Sequence, residues 1–176
     1  MNSKVNIVMY HPEIPQNTGN VMRTCVGTDT VLHLIKPYGF DLNKSEKIFG
    51  RSSANYAQLV ELREYEDWDD FVNKNPNTKN YCFITRYGLD TYNHVDAKEL
   101  TNNNQEMFII FGSESSGIDQ EILAQYKDQT YRIPTSANVR SLNVSNCVMM
   151  VLYEMLRQLD YEGLLTKEPH KVDYLK

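Results

Sequence analysis

Six short apolar runs, rich in β-branched and aromatic residues and separated by stretches long enough for helices, constrain the fold of this chain most. The runs are residues 5–10, 31–35, 59–62, 81–85, 107–111 and 130–133. Because parallel neighbouring strands need long crossover connections, this alternation predicts an α/β fold with a mostly parallel sheet covered by helices on both faces. The run at 107–111 is apolar throughout, which is typical of a central strand.

Size and composition limit the class of protein. A chain of 176 residues, 41% of them apolar, fits one domain with a substantial core, which we assign to residues 1–163, followed by a loosely ordered tail at 164–176. No apolar run approaches the roughly 20 residues of a membrane span, and the N-terminus lacks a signal-peptide pattern. We therefore expect a cytoplasmic protein without a membrane partner. Three widely spaced cysteines favour reduced thiols and argue against a metal site.

The charge of the chain restricts how it can meet nucleic acid. A net charge of -5 argues against a protein that coats RNA or DNA non-specifically, because such binding depends on many cations neutralising phosphates. Any RNA contact must therefore be local. Six acidic residues lie within residues 61–70, and we interpret them as a solvated face.

The last predicted helix, residues 143–159, has apolar residues on more than one side. Intervals of three and four along it predict a stripe packed on the sheet. The stripe consists of Val144, Cys147, Val148, Val151, Leu152, Met155, Leu156 and Leu159. Met149, Met150 and Tyr153 lie partly off this stripe, so either a partner subunit covers them or the helix is wholly buried within one subunit.

The segment before that helix is more polar than a plain connection requires. Between residues 133 and 147 it carries Arg140 with its five donors, and Ser141, Asn143 and Ser145 with short hydrogen-bonding groups. These groups gather where a helix has unpaired N–H groups. The segment therefore predicts a site for a polar ligand, although Asn143 and Ser145 could instead cap the helix.

Residues 11–23 follow the first predicted strand and contain a proline-bounded turn. We expect Asn17 or Thr18 to cap the following helix, and Asn20 and Arg23 to share one face of it. Alone, this pattern is also that of a capped helix with a solvated arginine. Its position beyond the carboxyl end of a parallel strand favours a ligand site, because ligands bind at such ends.

Two further strand ends are followed by loops that contain glycine. Residues 111–117 read Phe-Gly-Ser-Glu-Ser-Ser-Gly, and residues 83–88 end in Thr-Arg-Tyr-Gly. Glycines allow a close backbone approach, and Glu114 would repel a phosphate, so we favour a ligand without phosphates over a phosphate-binding loop. A tight strand-to-helix turn shaped only by geometry is the alternative. The ends at Thr85, Phe111 and Ile133 would converge on one crevice if their strands are neighbours.

Taken together, these segments resemble the SPOUT class of RNA methyltransferases, and within it the small tRNA wobble-nucleotide 2′-O-methyltransferases. The resemblance covers residues 5–163 and depends on three motifs in order: Pro-x-Asn-Thr-Gly-Asn-x-x-Arg at 15–23, Phe-Gly-x-Glu-x-x-Gly at 111–117, and Ile-Pro leading to Arg-Ser-Leu-Asn-Val-Ser at 140–145. It implies a deep C-terminal trefoil knot, bound S-adenosyl-L-methionine, no metal, and an obligate homodimer. It also implies the anticodon stem-loop of tRNA as substrate, with leucine tRNAs expected.

The resemblance also implies site residues. The implied cofactor-binding residues are Ile84, Gly112, Ile133, Ser141 and Leu142, with Thr85, Glu114 and Asn143 nearby. Arg23 is implied as the essential catalytic residue, either taking the proton of the 2′-hydroxyl or orienting the RNA, with Asn20 beside it. Tyr153 is implied in the active site, with interface packing as the alternative. The implied RNA-binding residues are Arg140 and Arg23. From their charge, Lys44, Lys47 and Arg51 are further candidates for phosphate contacts, with solvated surface charge as the alternative.

Two other functions remain open from the sequence. The same chemistry could act on ribosomal RNA or on another tRNA position. The protein could also be a non-catalytic RNA-binding module that uses the same crevice without methyl transfer. A dinucleotide-dependent oxidoreductase fits poorly, because no glycine fingerprint follows the first strand.

Overall fold

The computed structural model describes residues 4–42, 44 and 56–167 and contains one parallel sheet. The seven strands of these residues are β1 (Val5–Tyr10), β2 (Val31–Ile35), β3 (Leu62–Tyr65), β4 (Tyr81–Ile84), β5 (Asp90–Thr91), β6 (Met107–Phe111) and β7 (Thr130–Arg132). Their spatial order is β3-β2-β1-β6-β4-β7-β5, and every neighbouring pair is parallel. The α/β prediction is confirmed.

Helices cover both faces of the sheet. The α-helices in the described residues are α1 (Pro15–Gly27), α2 (Trp68–Lys74), α3 (Ala97–Leu100), α4 (Gln120–Gln125) and α5 (Val144–Gln158). Short 3₁₀ helices lie at Tyr56–Leu59, Thr78–Asn80, Tyr92–His94, Asn102–Asn104 and Lys127–Gln129. One layer contains α1, α3 and α5, and the opposite layer contains α2 and α4. No helix of the described segments has the length and apolar character to cross a membrane.

The central strands are apolar throughout because both of their faces are buried. All residues of β1 and β6 are buried. Successive side chains of a strand point to opposite faces, so Val5, Ile7 and Met9 pack in one layer while Val8 and Tyr10 pack in the other. The prediction of a central strand at 107–111 is confirmed by the position of β6 between β1 and β4.

Helix α5 has the predicted apolar stripe. Val148, Val151 and Leu152 on the stripe are buried against the sheet. On the other side of the helix, Met149 is 47% exposed and Tyr153 is 42% exposed. The rest of the chain, as far as it is described, therefore does not cover this second apolar side, and the alternative of a helix wholly buried within one subunit is wrong.

Two parts of the sheet differ from the sequence prediction. The strand predicted at 59–62 is wrong: Leu59 ends a 3₁₀ helix, and β3 begins at Leu62. Tyr65 fixes this later position, because its buried hydroxyl pairs with His33 of the adjacent strand. Strand β5 was not predicted, since it is two residues long and polar and is added at the sheet edge beside β7.

The C-terminal tail is only partly described. Residues 168–176 lie outside the described part of the chain. Before them, the Leu164 N–H donates to the Tyr161 carbonyl, and the Leu164 side chain packs against the core. The loosely ordered tail and the domain limits predicted from the sequence stay predictions.

A buried histidine links three neighbouring strands. His33 is fully buried, with Nδ1 2.8 Å from the Tyr65 hydroxyl and Nε2 3.0 Å from Asn6 Oδ1. The Asn6 side-chain amide donates in turn to the Met107 carbonyl at 3.3 Å. A neutral imidazole satisfies both contacts, since Nε2 donates to Asn6 and Nδ1 accepts from Tyr65. Burial, assisted by the positive charge of Arg63, lowers the pKa of His33 to about 3.

We predict that His33 makes the protein less stable in mild acid. Its folded-state pKa lies below the unfolded value of about 6.5, so its contribution is complete above that pH and is lost as pH falls toward 3. Linkage gives a decrease of about 2 kcal/mol in the free energy of unfolding between pH 7 and pH 5. Urea unfolding at several pH values measures it. His33→Gln should remove this part of the decrease and leave the part due to His11, whose pKa is also lowered by burial, whereas the exposed His94→Gln should retain the full decrease. An unchanged decrease in His33→Gln would contradict the prediction.

Candidate functional site

A cavity of about 430 Å³ lies at the carboxyl ends of β4, β6 and β7. These strands are neighbours, so the predicted convergence of three strand ends is confirmed. The cavity lining includes all eight residues predicted to surround a cofactor, namely Ile84, Thr85, Gly112, Glu114, Ile133, Ser141, Leu142 and Asn143. Arg140 lines it as well. Apolar side chains, hydroxyls and close backbone therefore surround one space.

The loop after β6 turns so tightly that two glycines are required. Ser113 and Gly117 exchange backbone hydrogen bonds of 3.1 Å in both directions. Gly117 has a φ of 78°, which other residues rarely adopt. A Cβ on Gly112 would collide with the backbone of Gly117. The loop is therefore a tight turn, and it also places backbone in the cavity wall. The two alternatives considered for this segment, a turn required by geometry and a close approach to a ligand, are compatible.

Glu114 in this loop caps helix α1 from outside the helix. Its carboxylate accepts hydrogen bonds from the Glu13 N–H at 2.9 Å, the Ile14 N–H at 3.3 Å and the Asn17 side-chain amide at 2.9 Å. The prediction that Asn17 or Thr18 caps the helix is wrong, because Pro15 begins the helix two residues earlier. A carboxylate suits this position, since the start of a helix carries unpaired N–H groups and a partial positive charge.

The interaction between these two loops is reciprocal. The carboxylate of Glu13 accepts hydrogen bonds from Ser115, at 2.9 Å from its N–H and 2.6 Å from its hydroxyl. Each loop thus supplies a carboxylate to the donors of the other. The loops after β1 and β6 are held together by five hydrogen bonds to carboxylates, counting Glu114 and Glu13 together.

Asn143 joins the third segment to the first two. Its amide nitrogen donates to Asn17 Oδ1 at 3.0 Å. Its oxygen accepts from the Ser145 N–H at 3.0 Å, the Ser145 hydroxyl at 2.6 Å and the Asn146 N–H at 3.3 Å, so Asn143 caps α5. The sequence left two roles open for Asn143 and Ser145, contact with a ligand or capping of the helix, and the structure shows the capping contacts. A hydrogen-bonded chain, Glu114–Asn17–Asn143, therefore connects all three sequence motifs.

Several predicted residues do not line the cavity of this chain. Asn20 and Arg23 are exposed on α1, and Tyr153 is exposed on α5, which packs against α1. Lys44 pairs with Asp41 at 3.1 Å. Lys47 and Arg51 lie outside the described residues. The catalytic roles of Asn20, Arg23 and Tyr153 and the RNA contacts of Lys44 and Arg51 stay predictions.

The cavity wall also contains three residues with no predicted ligand role: Arg86 and Tyr87, which belong to the strand-end segment 83–88 noted in the sequence, and Arg132, which the sequence prediction missed. All three lie at or beyond the ends of β4 and β7. Within the described segments, no carboxylate lies within 4.0 Å of Arg86, Arg132 or Arg140, whereas Arg63 and Arg157 each pair with a glutamate. The arginines at the cavity are therefore available to an anionic partner. Position at a strand end was the signal that could have identified Arg132.

Cys147 lies in the cavity wall as a neutral thiol. It is half-buried, and burial raises its pKa above the ordinary value for cysteine. A protonated thiol is a weak nucleophile. This observation favours the packing role expected for Cys147 over a nucleophilic one.

Comparison with known proteins gives consistent matches. Residues 4–153 match the model of the SpoU rRNA Methylase family. A Geobacillus stearothermophilus protein, provisionally named a tRNA (cytidine(34)-2′-O)-methyltransferase, is 40% identical over 91% of this chain and 98% of its own length. A Bacillus anthracis structure, provisionally described as an RNA methyltransferase, has a TM-score of 0.83 and 36% identity over 93% of this chain and 99% of its own. A third match is a structure described as giving structural insights into the 2-OH methylation of C/U34 on tRNA. It has a TM-score of 0.76 and 33% identity and covers 89% of this chain and 96% of its own.

We predict that Glu114→Gln destabilises the protein. Glutamine has nearly the same shape, but one of its two end groups is a donor, so at least one of the Glu114 hydrogen bonds is lost. The free energy of unfolding should fall by about 1 to 3 kcal/mol. Urea unfolding at neutral pH measures the change. Glu106→Gln, at an exposed position, is the matched control and should be nearly neutral; equal stability of the two variants would sink the prediction.

Proposed function

This chain belongs to the SpoU rRNA methylase family, and from that membership we propose that it methylates the ribose 2′-hydroxyl of the wobble nucleotide, cytidine or uridine 34, of tRNA. The convergence of the three motif segments on one cavity is the observation that carries the proposal. The names of the relatives favour tRNA, although the family description refers to ribosomal RNA. Leucine tRNAs as substrates rest on the sequence resemblance alone. A cytoplasmic location stays the prediction made from the sequence.

We propose S-adenosyl-L-methionine as the methyl donor, since the residues of the cavity fit it. Ile84, Ile133 and Leu142 offer apolar surface suited to an adenine ring, and Thr85 and Ser141 offer hydroxyls suited to polar groups. When bound, this cofactor supplies a methyl group on a sulfonium centre. Glu114 and Asn143 act mainly by holding the cavity wall, because their polar atoms already bond Asn17 and the helix starts.

We propose that the C-terminal part of the chain forms a trefoil knot. Strand β7 lies between β4 and β5, so the connection from β4 to β5 crosses the end of β7. A Cβ on Gly88 in that connection would collide with the backbone of Tyr131 and Arg132 in β7. Helix α4, before β7, lies in one helical layer, and Asn143, after β7, bonds Asn17 of α1 in the opposite layer. The chain after β7 must therefore pass the connection from β4 to β5 to reach that layer. These features support a threaded path.

We propose that the enzyme acts as a homodimer. Met149, Met150 and Tyr153 form an exposed apolar surface on α5, and a second copy is a cover with matching chemistry. Arg23 does not line the cavity of its own chain. The dimer would complete the site by placing Arg23 of one subunit near the cavity of the other subunit and near the Tyr153 of that same subunit. Tyr153 then contacts either that arginine or the RNA.

Arg23 and Asn20 are the residues we propose to act on the ribose. They lie one helical turn apart on an exposed part of α1, so both can reach the same ligand. A guanidinium keeps its proton at neutral pH, which favours orientation of the ribose and its phosphate over proton removal. Alignment of reacting groups can contribute roughly 7 to 11 kcal/mol to lowering a barrier.

The RNA contact is local, as the net charge of -5 requires. Arg140 lines the cavity without a carboxylate partner in the described residues, and we propose that it binds an RNA phosphate. Lys44 has a weaker case because Asp41 already neutralises it. Arg51 is proposed from its charge in the sequence alone.

We predict that Arg23→Ala lowers methyl transfer to tRNA at least about 100-fold while cofactor binding is retained. The loss follows from removing the group that orients the reacting ribose. The measurement is incorporation of labelled methyl groups from S-adenosyl-L-methionine into bulk tRNA, with calorimetry for cofactor binding.

Arg63→Ala is the control, because Arg63 is on β3 and pairs with Glu61. Full activity of Arg23→Ala would refute the role of Arg23. Transfer by the unmodified protein to ribosomal RNA and not to tRNA would favour the second candidate function, and cofactor-independent RNA binding without transfer would favour a non-catalytic module.

We predict that the protein sediments at twice its chain mass of 20.5 kDa and that Met149→Asp shifts it toward the monomer. A charge in the apolar surface on α5 must be desolvated when the dimer forms, which costs free energy. Sedimentation equilibrium measures the mass. Leu165→Asp, at a residue 77% exposed in the C-terminal segment, should remain dimeric. A monomeric unmodified protein would contradict the proposal.

A further inference from the structure

The connection from β4 to β5 holds an aromatic ring and a guanidinium at the cavity wall, and neither has a role in the proposed function so far. Tyr87 is 59% exposed. The guanidinium of Arg86 lies over its ring, 4.6 Å from the centroid, and donates a hydrogen bond to its hydroxyl. Because Tyr87 is exposed at the wall of the cavity, its ring is accessible to a ligand that occupies or borders the cavity.

The backbone under this pair is fixed. Thr85 N–H donates to the Tyr131 carbonyl at 2.9 Å, and Gly88 N–H donates to the Thr85 carbonyl at 3.1 Å. Leu89 N–H donates to the Thr130 carbonyl at 3.1 Å. The turn is therefore bound to β7 on both sides of Arg86 and Tyr87, and the ring is presented on a rigid support, which lowers the entropy lost when a ligand binds.

The charge around the ring favours nucleic acid. Arg86 has no carboxylate within 4.0 Å among the residues that the structure describes, and the same holds for Arg132 in the same cavity wall. An exposed aromatic ring combined with unpaired arginines is the combination that binds single-stranded nucleic acid, since bases stack on the ring and phosphates meet the guanidinium groups.

We propose that Tyr87, oriented by Arg86, is a stacking platform for a nucleobase next to the methylated nucleotide. The proposal rests on the function proposed above. The reacting ribose must enter the cavity to meet the cofactor, whereas the exposed ring of Tyr87 meets solvent, so the ring suits a flanking base better than the target base. Stacking of this kind tolerates any base, and it would hold the anticodon loop open beside the cavity.

Steady-state methylation of a synthetic anticodon stem-loop by the full chain tests the proposal. Tyr87→Ala should raise KM for the RNA about 5- to 150-fold, the range for loss of one base–aromatic stack. KM for S-adenosyl-L-methionine should not change, and Tyr87→Phe should behave nearly as the unmodified protein. Tyr161→Ala is the control, because Tyr161 is an exposed tyrosine beyond the far end of α5.

Stem-loops with one base removed identify the partner of the ring. Removing the base that stacks on Tyr87 should raise KM for the unmodified protein but should have no further effect in Tyr87→Ala. Direct binding of labelled stem-loop, followed by fluorescence anisotropy, gives the same comparison without catalysis. It therefore tests the platform even if the stem-loop is not methylated, a result that would count against the proposed function alone.

Two results would overturn the proposal. A rise in KM for the cofactor without a change for the RNA would assign the ring to the adenosine. Unchanged binding and kinetics for both ligands in Tyr87→Ala would show that the ring contributes to the binding of neither ligand.

Discussion

The hydrogen-bonded chain from Glu114 through Asn17 to Asn143 is the interaction on which the site depends. It joins three segments that are far apart in sequence and that begin at different strands. Each member does local work as well: Glu114 satisfies donors at the start of α1, and Asn143 caps α5. The side chains that satisfy the unpaired N–H groups at the starts of α1 and α5 therefore also hold the walls of the cavity in place. A substitution that weakens these caps should alter the shape of the site as well.

The parallel sheet makes this arrangement possible. Parallel strands all end at the same edge, and the order β1-β6-β4-β7 places the four relevant ends side by side. The strands in the middle are buried on both faces and make the sheet rigid, and the buried His33 ties β1 to β2 and β3 through Asn6 and Tyr65. The loops that follow can then be short and tight without losing their position.

Electrostatics explains how an acidic chain can act on RNA. Arg63 and Arg157, away from the cavity, are neutralised by glutamates, while Arg86, Arg132 and Arg140 in its wall have no such partner in the described residues. Three arginines without a carboxylate partner therefore concentrate positive charge at the cavity wall. A few unpaired arginines are sufficient to recognise a few exposed nucleotides, whereas binding along a duplex would need many phosphate contacts.

Much of the fold was predictable because it follows from periodicity. The two-sided apolar runs of β1, β2 and β6 and the stripe of α5 were predicted closely. The eight cofactor residues, which the family resemblance implied and periodicity could not show, lie at one cavity. Long-range contacts decided the rest. Tyr65 reaches His33 and sets β3 later than predicted, and Glu114, about a hundred residues away, replaces the expected local cap of α1. Arg132 was missed because only the strand order brings it to the cavity.

The most direct test of the central claim is methyl transfer to anticodon stem-loops that lack a single 2′-hydroxyl. If the protein methylates the wobble ribose, a 2′-deoxy nucleotide at position 34 must abolish transfer, while 2′-deoxy nucleotides at the two flanking positions leave transfer in place. Transfer that persists with the 2′-deoxy nucleotide at position 34 would contradict the account.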